Sequence, residues 1–247
     1  MTSRELTGFL PLAHGDAPMQ LRDRFAVAAF GLIQWPWLLR SLYGGTQAEK
    51  RALIERLSLP DDALPHLGSW KADTGLLHLL VDLIEQKRPE QVVELGCGAS
   101  SLVIGRALSL HGGGRLTSYD SHSHFASETG QWLRDHDIEA DIRHAPLSQE
   151  AGKGWPGAFY EFDSIPARID LLLIDGPSWS RHPLVRGAAE QLFSRMSDDG
   201  VILLDDAARP GERVVARRWR RNWPYWRFTL RHIGTKGTLI GTRPGIN

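Results

Sequence analysis

The segment QVVELGCGASS, Gln91 to Ser101, constrains this chain more than any other. A short apolar run reads as a buried strand, and it ends in an acid, a Gly-Cys-Gly turn and the opening of a helix. Gly96 and Gly98 have no Cβ, so the backbone can turn sharply there and approach a ligand closely. A dinucleotide reader with the pattern GxGxxG needs a third glycine where Ser101 stands, and its strand does not end in an acid beside the first glycine. Glu94 suits a ligand with an ammonium group better than one with a pyrophosphate, because like charges repel strongly in a partly desolvated cleft.

The rest of the chain repeats this alternation. GLLHLLVDLIEQKRP has helical spacing and stops at Pro89. RLTSYD, IDLLLIDGP and GVILLDDA read as strands, each followed by residues able to form a helix. Pro210 with Glu212 opens another helix, since proline is tolerated in a first turn and an acid there complements the helix dipole. YWRFTLRHI and GTLIGTRP predict two late strands joined by the turn Gly234 to Gly237. Strands alternating with helices give an α/β fold with a mainly parallel sheet covered on both faces, closed by an antiparallel addition. At 247 residues, roughly three quarters of the unfolded chain's surface can be buried, which favours one large domain.

Residues 1–69 read as a helical extension and 70–247 as the main domain. The apolar run FAVAAFGLIQWPWLL, Phe25 to Leu39, is shorter than the ~20 residues of a spanning helix and is interrupted by Gln34 and Pro36. It is expected to pack against the main domain or over its ligand. Arg22, Asp23 and Arg24 before the run and Arg40 after it, with Trp35 and Trp37 as anchors, leave a bilayer-surface helix as the alternative. Lys plus Arg and Asp plus Glu both number 29, so no overall charge draws the protein to nucleic acid or anionic lipid. The single cysteine, Cys97, excludes an internal disulfide, and the N-terminus lacks the order of a signal peptide, so a cytoplasmic protein is expected.

Asp120 ends the next strand, where a carboxylate can accept both hydroxyl protons of a ribose. With Glu94 and the glycine loop before it, and IDGP and DD after it, the chain resembles the class I S-adenosylmethionine-dependent methyltransferases over roughly Trp70 to Pro244. The resemblance implies a Rossmann-like sheet of seven strands with an antiparallel last strand. It places the methionine part of the cofactor over Gly96, Cys97 and Gly98, its amino group toward Glu94 and its ribose on Asp120. Ser100, Ser101, Ser121 and Asp175 complete the expected cofactor contacts, and RHAPLS makes Ala145 and Pro146 the expected walls of the adenine pocket. Cys97 reads as a small packed residue, because no paired base accompanies it and methyl transfer needs no covalent intermediate.

Asp175, Asp205 and Asp206 stand at the ends of two strands whose carboxyl edges share a side with the glycine loop. Such oxygen ligands suit Mg²⁺ or Ca²⁺. Caps for helices and partners for arginines are the competing reading. Catechol-type O-methyltransferases, which depend on a divalent metal, carry Asp-Asn where this chain has Asp205 and Asp206, and a lysine base where it has Ser178. His182 is then the nearest titratable substitute in the loop, beside Asp175 as the other catalytic candidate, while Arg181 can meet an anionic group of the acceptor.

The stretch RRWRRNWPYWR has the charge and aromatics to follow single-stranded nucleic acid. A helix end complemented by arginines, running into a core strand, accounts for it more simply. The implied activity is methyl transfer to a hydroxyl of a small-molecule or glycan acceptor. N-methyl transfer, or cofactor binding without turnover by a module docked to a membrane or partner, are the alternatives.

Overall fold

The computed structural model describes residues 19–244. Its centre is a seven-stranded sheet built from β1 (Gln91–Leu95), β2 (Arg115–Asp120), β3 (Asp141–His144), β6 (Ile169–Ile174), β7 (Met196–Leu204), β8 (Arg227–Arg231) and β9 (Thr238–Thr242). The strand order is β3-β2-β1-β6-β7-β9-β8, and β4 (Leu147–Ser148) pairs with β5 (Phe159–Tyr160) in a separate hairpin. All ladders from β3 to β7 are parallel, and β9 runs antiparallel between β7 and β8. The last strand is therefore antiparallel as expected, while β8 shares the direction of the others.

The helices follow the sequence signals closely. Asp73 caps α3 (Thr74–Lys87), its Oδ1 accepting the Leu76 N–H at 2.9 Å. The Gly-Cys-Gly turn opens α4 (Ala99–His111), β2 feeds α5 (Ser123–Arg134), and Pro210 occupies the first turn of α6 (Pro210–Asn222). The stretch before β7 is a 3-10 helix, Val185–Arg195, in place of the expected α-helix. Two layers of side chains cover the sheet. One joins α3 and α4 to Leu53, Ile54, Leu57 and Leu64 from α2 (Gln47–Arg56) and the loop after it. The other gathers Phe159, Phe193, Trp219, Trp226 and Phe228.

In that second layer the Arg-Trp stretch finds its role. Trp219 is buried and donates its indole N–H to the Gly187 carbonyl at 2.9 Å, and Trp226 is buried beside Phe228, so these aromatics are core residues.

The first helix, α1 (Leu21–Ser41), runs straight past Pro36, where the sequence suggested an interruption. Pro36 lies on the exposed side, so the carbonyl it leaves unbonded faces solvent. The three residues α1 buries, Asp23, Gln34 and Ser41, are polar; Val27, Phe30, Trp37 and Leu38 are half-buried, and Leu21, Phe25, Leu32, Ile33, Trp35 and Leu39 are exposed. Among the described residues, no helix is long and apolar enough to cross a membrane.

Candidate active site

The parallel ladders bring four strand ends to one edge. Gly96 follows β1 and donates its N–H to the Tyr119 carbonyl at 2.8 Å, while the Asp175 and Gly176 N–H groups both reach the Leu95 carbonyl. Ile174 pairs with Leu204, so Asp175 and Asp205 are the next residues in register on β6 and β7. A cleft opens over this edge, between the glycine loop and the C-terminal end of α1. Gly96, Cys97, Asp120, Ser121 and Asp175 line it, as do Leu38, Ser41 and Leu42 of the first helix region.

The loop geometry requires its glycines. Gly96 has φ +95°, and a Cβ there would lie 3.0 Å from the Gly176 nitrogen. Gly98 has φ +155°, and a Cβ there would meet nothing within 4 Å, so the loop presents bare backbone beneath open space. Asp120 ties the loop down, accepting the Cys97 N–H at 3.1 Å on Oδ2 and the His122 N–H at 2.8 Å on Oδ1. Burial raises the Asp120 pKa, and these two N–H groups oppose the rise.

Glu94 is wholly buried beneath the loop. Its Oε2 accepts from Ser101 Oγ at 2.5 Å and Ser118 Oγ at 2.7 Å, and Ser101 Oγ also accepts the Gly98 N–H at 2.9 Å. Oε1 has no hydrogen-bond partner. Burial pushes the Glu94 carboxyl up to about 7, against the hydroxyls of Ser100, Ser101 and Ser118. Ser100 and Ser101 thus serve the acid. Burial pushes the Cys97 thiol well above its ordinary range, and its Sγ lies 3.3 Å from Thr129 Oγ1, an environment for packing and not for nucleophilic attack.

Three expected site residues lie outside the cleft lining. Ala145 is buried at the end of β3, its N–H on the Asp120 carbonyl at 2.8 Å, and neither it nor Pro146 lines the cleft. His182 is buried, outside the cleft lining, and its Nδ1 accepts the Leu184 N–H at 3.1 Å. Burial lowers the His182 pKa. Arg181 does line the cleft, next to Trp179.

Asp175, Asp205 and Asp206 converge, with one oxygen of each within 4.8 Å of the others. Cations already face them. Arg186 lies 3.1 Å from Asp175 Oδ1 and 3.0 Å from Asp206 Oδ2, and it donates as well to the carbonyls of Asp175, Pro177 and Asp205. Arg209 is 2.7 Å from Asp206 Oδ1, and Lys236 Nζ is 3.6 Å from Asp205 Oδ2 and 3.7 Å from Asp206 Oδ1. Glu212, a dipole partner by sequence, is buried 4.0 Å from Arg186, and burial pushes its carboxyl up to about 7. Burial disfavours ionised Asp206, yet Arg209, Lys236 and Arg186 together hold it well below the usual carboxylate range. Asp205 and Asp175 are pushed up by burial, which Lys236 and Arg186 respectively only offset.

Several cleft residues carried no signal in the sequence. Trp70, His122 and Phe125 form a stacked wall beside Asp120, with ring centroids 5.9 Å apart for Trp70–Phe125 and 4.5 Å for His122–Phe125. Arg186 and Lys236 stand in segments without a recognisable pattern. The only hint was that clustered acids need compensating cations.

A family model described as a methyltransferase domain matches residues 93–207. Among curated proteins no match is found. Solved structures similar to this chain include an O-methyltransferase from Bacillus cereus in complex with S-adenosylhomocysteine, with TM-score 0.57 and 13% identity, covering 88% of this chain and 100% of that one. An O-methyltransferase from Streptomyces achromogenes involved in tomaymycin synthesis, in complex with S-adenosylmethionine, has TM-score 0.53 and 17% identity and covers 93% and 100%. A methyltransferase from Geobacter sulfurreducens gives 0.53 and 17%, covering 81% and 90%. Residues 93–207 are therefore similar to a methyltransferase domain, and the chain shares the fold of these solved methyltransferases.

Proposed function

We propose that this protein transfers the methyl group of S-adenosylmethionine to a hydroxyl of a small-molecule acceptor, with no resident divalent ion. The observation that carries the reading is one cleft lined by Gly96 and Cys97 of the glycine loop, the Asp120 carboxylate and the Asp175 carboxylate. The donor fits these residues. Open space above Gly98 leaves room for its chain, buried Glu94 has an unpartnered oxygen for an ammonium group, and Asp120 keeps lone pairs for ribose hydroxyls. The stacked wall of His122, Phe125 and Trp70 supplies a flat apolar surface for a purine.

Mg²⁺ does not fit the acidic cluster. Arg186, Arg209 and Lys236 bring three positive charges against Asp175, Asp205 and Asp206, with Asp205 the least compensated, since neither of its oxygens has a hydrogen-bond partner and Lys236 stands 3.6 Å away. Asp205 and Asp206 are only 1% and 2% exposed, and Arg186 occupies the position between Asp175 and Asp206. An added divalent ion would have to expel a guanidinium or stand beside it in a medium that screens poorly. Arg186, Arg209 and Lys236 thus hold the positions a metal would take.

When bound, the cofactor supplies an electrophilic methyl carbon on a sulfonium sulfur. The chain's residues orient the acceptor in line with it and exclude water. Asp175 and Asp206 both line the cleft; the arginines and Lys236 hold Asp206 ionised and paired, whereas burial raises the Asp175 pKa and leaves it the better proton acceptor. It accepts the hydroxyl proton as the C–O bond forms, and Arg186 fixes its orientation. Arg181 and Trp179 face the acceptor from the opposite wall.

The test pairs binding with turnover. Calorimetry should show S-adenosylmethionine binding, weakened by about 1–3 kcal/mol in Asp120→Asn, where one backbone N–H loses its acceptor and the ribose contact changes. Labelled donor should methylate hydroxyl compounds from a lysate equally well in EDTA. Loss of turnover in EDTA, restored by Mg²⁺, would return the metal to the mechanism, and tight NAD binding without donor binding would overturn the whole reading.

A further inference from the structure

The outer face of α1 has no partner among the described residues. Leu21, Phe25, Leu32, Trp35 and Leu39 follow each other at helical spacing, and each is about half to three quarters exposed, with Phe25 at 76% and Leu32 at 78%. Ala28, Ala29 and Pro36 fill the gaps between them on the same exposed side, and Ile33 and Tyr43 widen it. A helix packed as a lid would turn these residues inward. Here Asp23, Gln34 and Ser41 are buried, Val27, Phe30, Trp37 and Leu38 are half-buried, and this second apolar face is left exposed.

The charges around this face decide what covers it. Arg22 and Arg24 lie at its N-terminal end and Arg40 at its C-terminal end, all exposed. The single acid of α1, Asp23, is buried. Arg213 of α6 shares a groove with Pro36, Trp37 and Arg40, and Arg217 is exposed one turn further along. A second copy of the chain seated on α1 would meet arginine with arginine in either orientation, since α1 exposes no acid to pair with them. An anionic lipid surface satisfies both features, because acyl chains take up the leucines and Phe25, the headgroup region takes Trp35 and Tyr43, and the arginines meet lipid phosphates and carboxylates.

We propose that α1 lies in the plane of an anionic membrane surface and holds the protein there reversibly. Leu42 is exposed next to this face and also lines the cleft, so the bilayer would adjoin the cleft mouth. The inference stands on the α1 surface alone and does not depend on which acceptor is methylated.

The test is flotation of the full chain with vesicles of phosphatidylcholine containing 30% phosphatidylserine, against vesicles of pure phosphatidylcholine. Binding at least tenfold stronger to the anionic vesicles is expected, weakening as salt is raised. Leu32→Glu with Trp35→Glu should abolish flotation, and the triple change of Arg22, Arg24 and Arg40 to Gln should reduce it at least tenfold. Donor affinity measured by calorimetry should stay within twofold in both variants, which distinguishes loss of docking from loss of fold. No flotation of the intact chain overturns the proposal. So does a dimer in light scattering that Leu32→Glu dissociates while vesicles are ignored.

Discussion

Replacing Arg186 by methionine keeps most of the side-chain volume and removes one charge from a site where charge is closely balanced. The intact protein sets Asp175, Asp205, Asp206 and Glu212 against Arg186, Arg209 and Lys236. In the variant, four carboxyl groups face two cations, and Asp175 loses its ion-pair partner. Removing one member of a buried pair costs about 3–5 kcal/mol. For a chain of this length each kcal/mol moves the thermal midpoint by about 2–4 °C, so a fall of roughly 6–20 °C is expected. The deficit should shrink as pH is lowered from 8 to 5, because protonating Asp175 removes the uncompensated charge. Mg²⁺ or Ca²⁺ should raise the variant's midpoint, since the three aspartate oxygens within 4.8 Å are then open to a cation, and should leave the wild-type midpoint unchanged. Thermal melts in EDTA and in millimolar Mg²⁺, at both pH values, read all of this. A wild-type midpoint that rises with Mg²⁺, or a variant as stable as wild type, would refute the charge balance argued here.

Three further outcomes follow from Glu94 and the glycine loop. Because burial holds the Glu94 carboxyl at about 7, binding of a donor ammonium group should tighten as pH rises from 5.5 to 7.5, by up to tenfold per unit below 7, and Glu94→Gln should flatten that profile in calorimetry. The same raised value means that Glu94 contributes stability to the free protein below about 4.5 and loses it as pH rises through 7, so the free protein's thermal midpoint should carry a falling component over this range. Gly98→Ala sets a methyl group in open space at φ +155°, so the cost to folding should stay near the ~1–3 kcal/mol of backbone strain while donor affinity falls at least tenfold. Unchanged affinity in this variant would remove the loop from the binding site.

The residues proposed to bind through local geometry were legible in the sequence. A strand that ends in Glu94 and turns on Gly96 and Gly98 announces itself, because backbone conformation and residue type are coupled within a few positions. The three aspartates were legible for the same reason, as ends of apolar strands. Their compensation was not, because Arg186 sits in a 3-10 segment and Lys236 in a turn, and both reach the cluster only through tertiary packing. The role of α1 was read only in part. Its length and arginines are written in the chain, but which side of an apolar helix faces the protein is set by the surface it lands on, and Asp23, Gln34 and Ser41 take the inward positions.

Lys236 owes its place to a residue far back in the chain. Asp73, the cap of α3, accepts with Oδ2 from the Thr235 N–H at 2.6 Å and from the Lys236 N–H at 3.2 Å, across 163 residues of sequence. During synthesis Asp205 and Asp206 leave the ribosome before the lysine that neutralises them. The centre of the sheet can bury these acids stably only after the final hairpin has docked against the start of α3, so a chain ending before residue 236 should stall as a partly open species. Docking of this hairpin then also completes the acidic cluster beside the cleft.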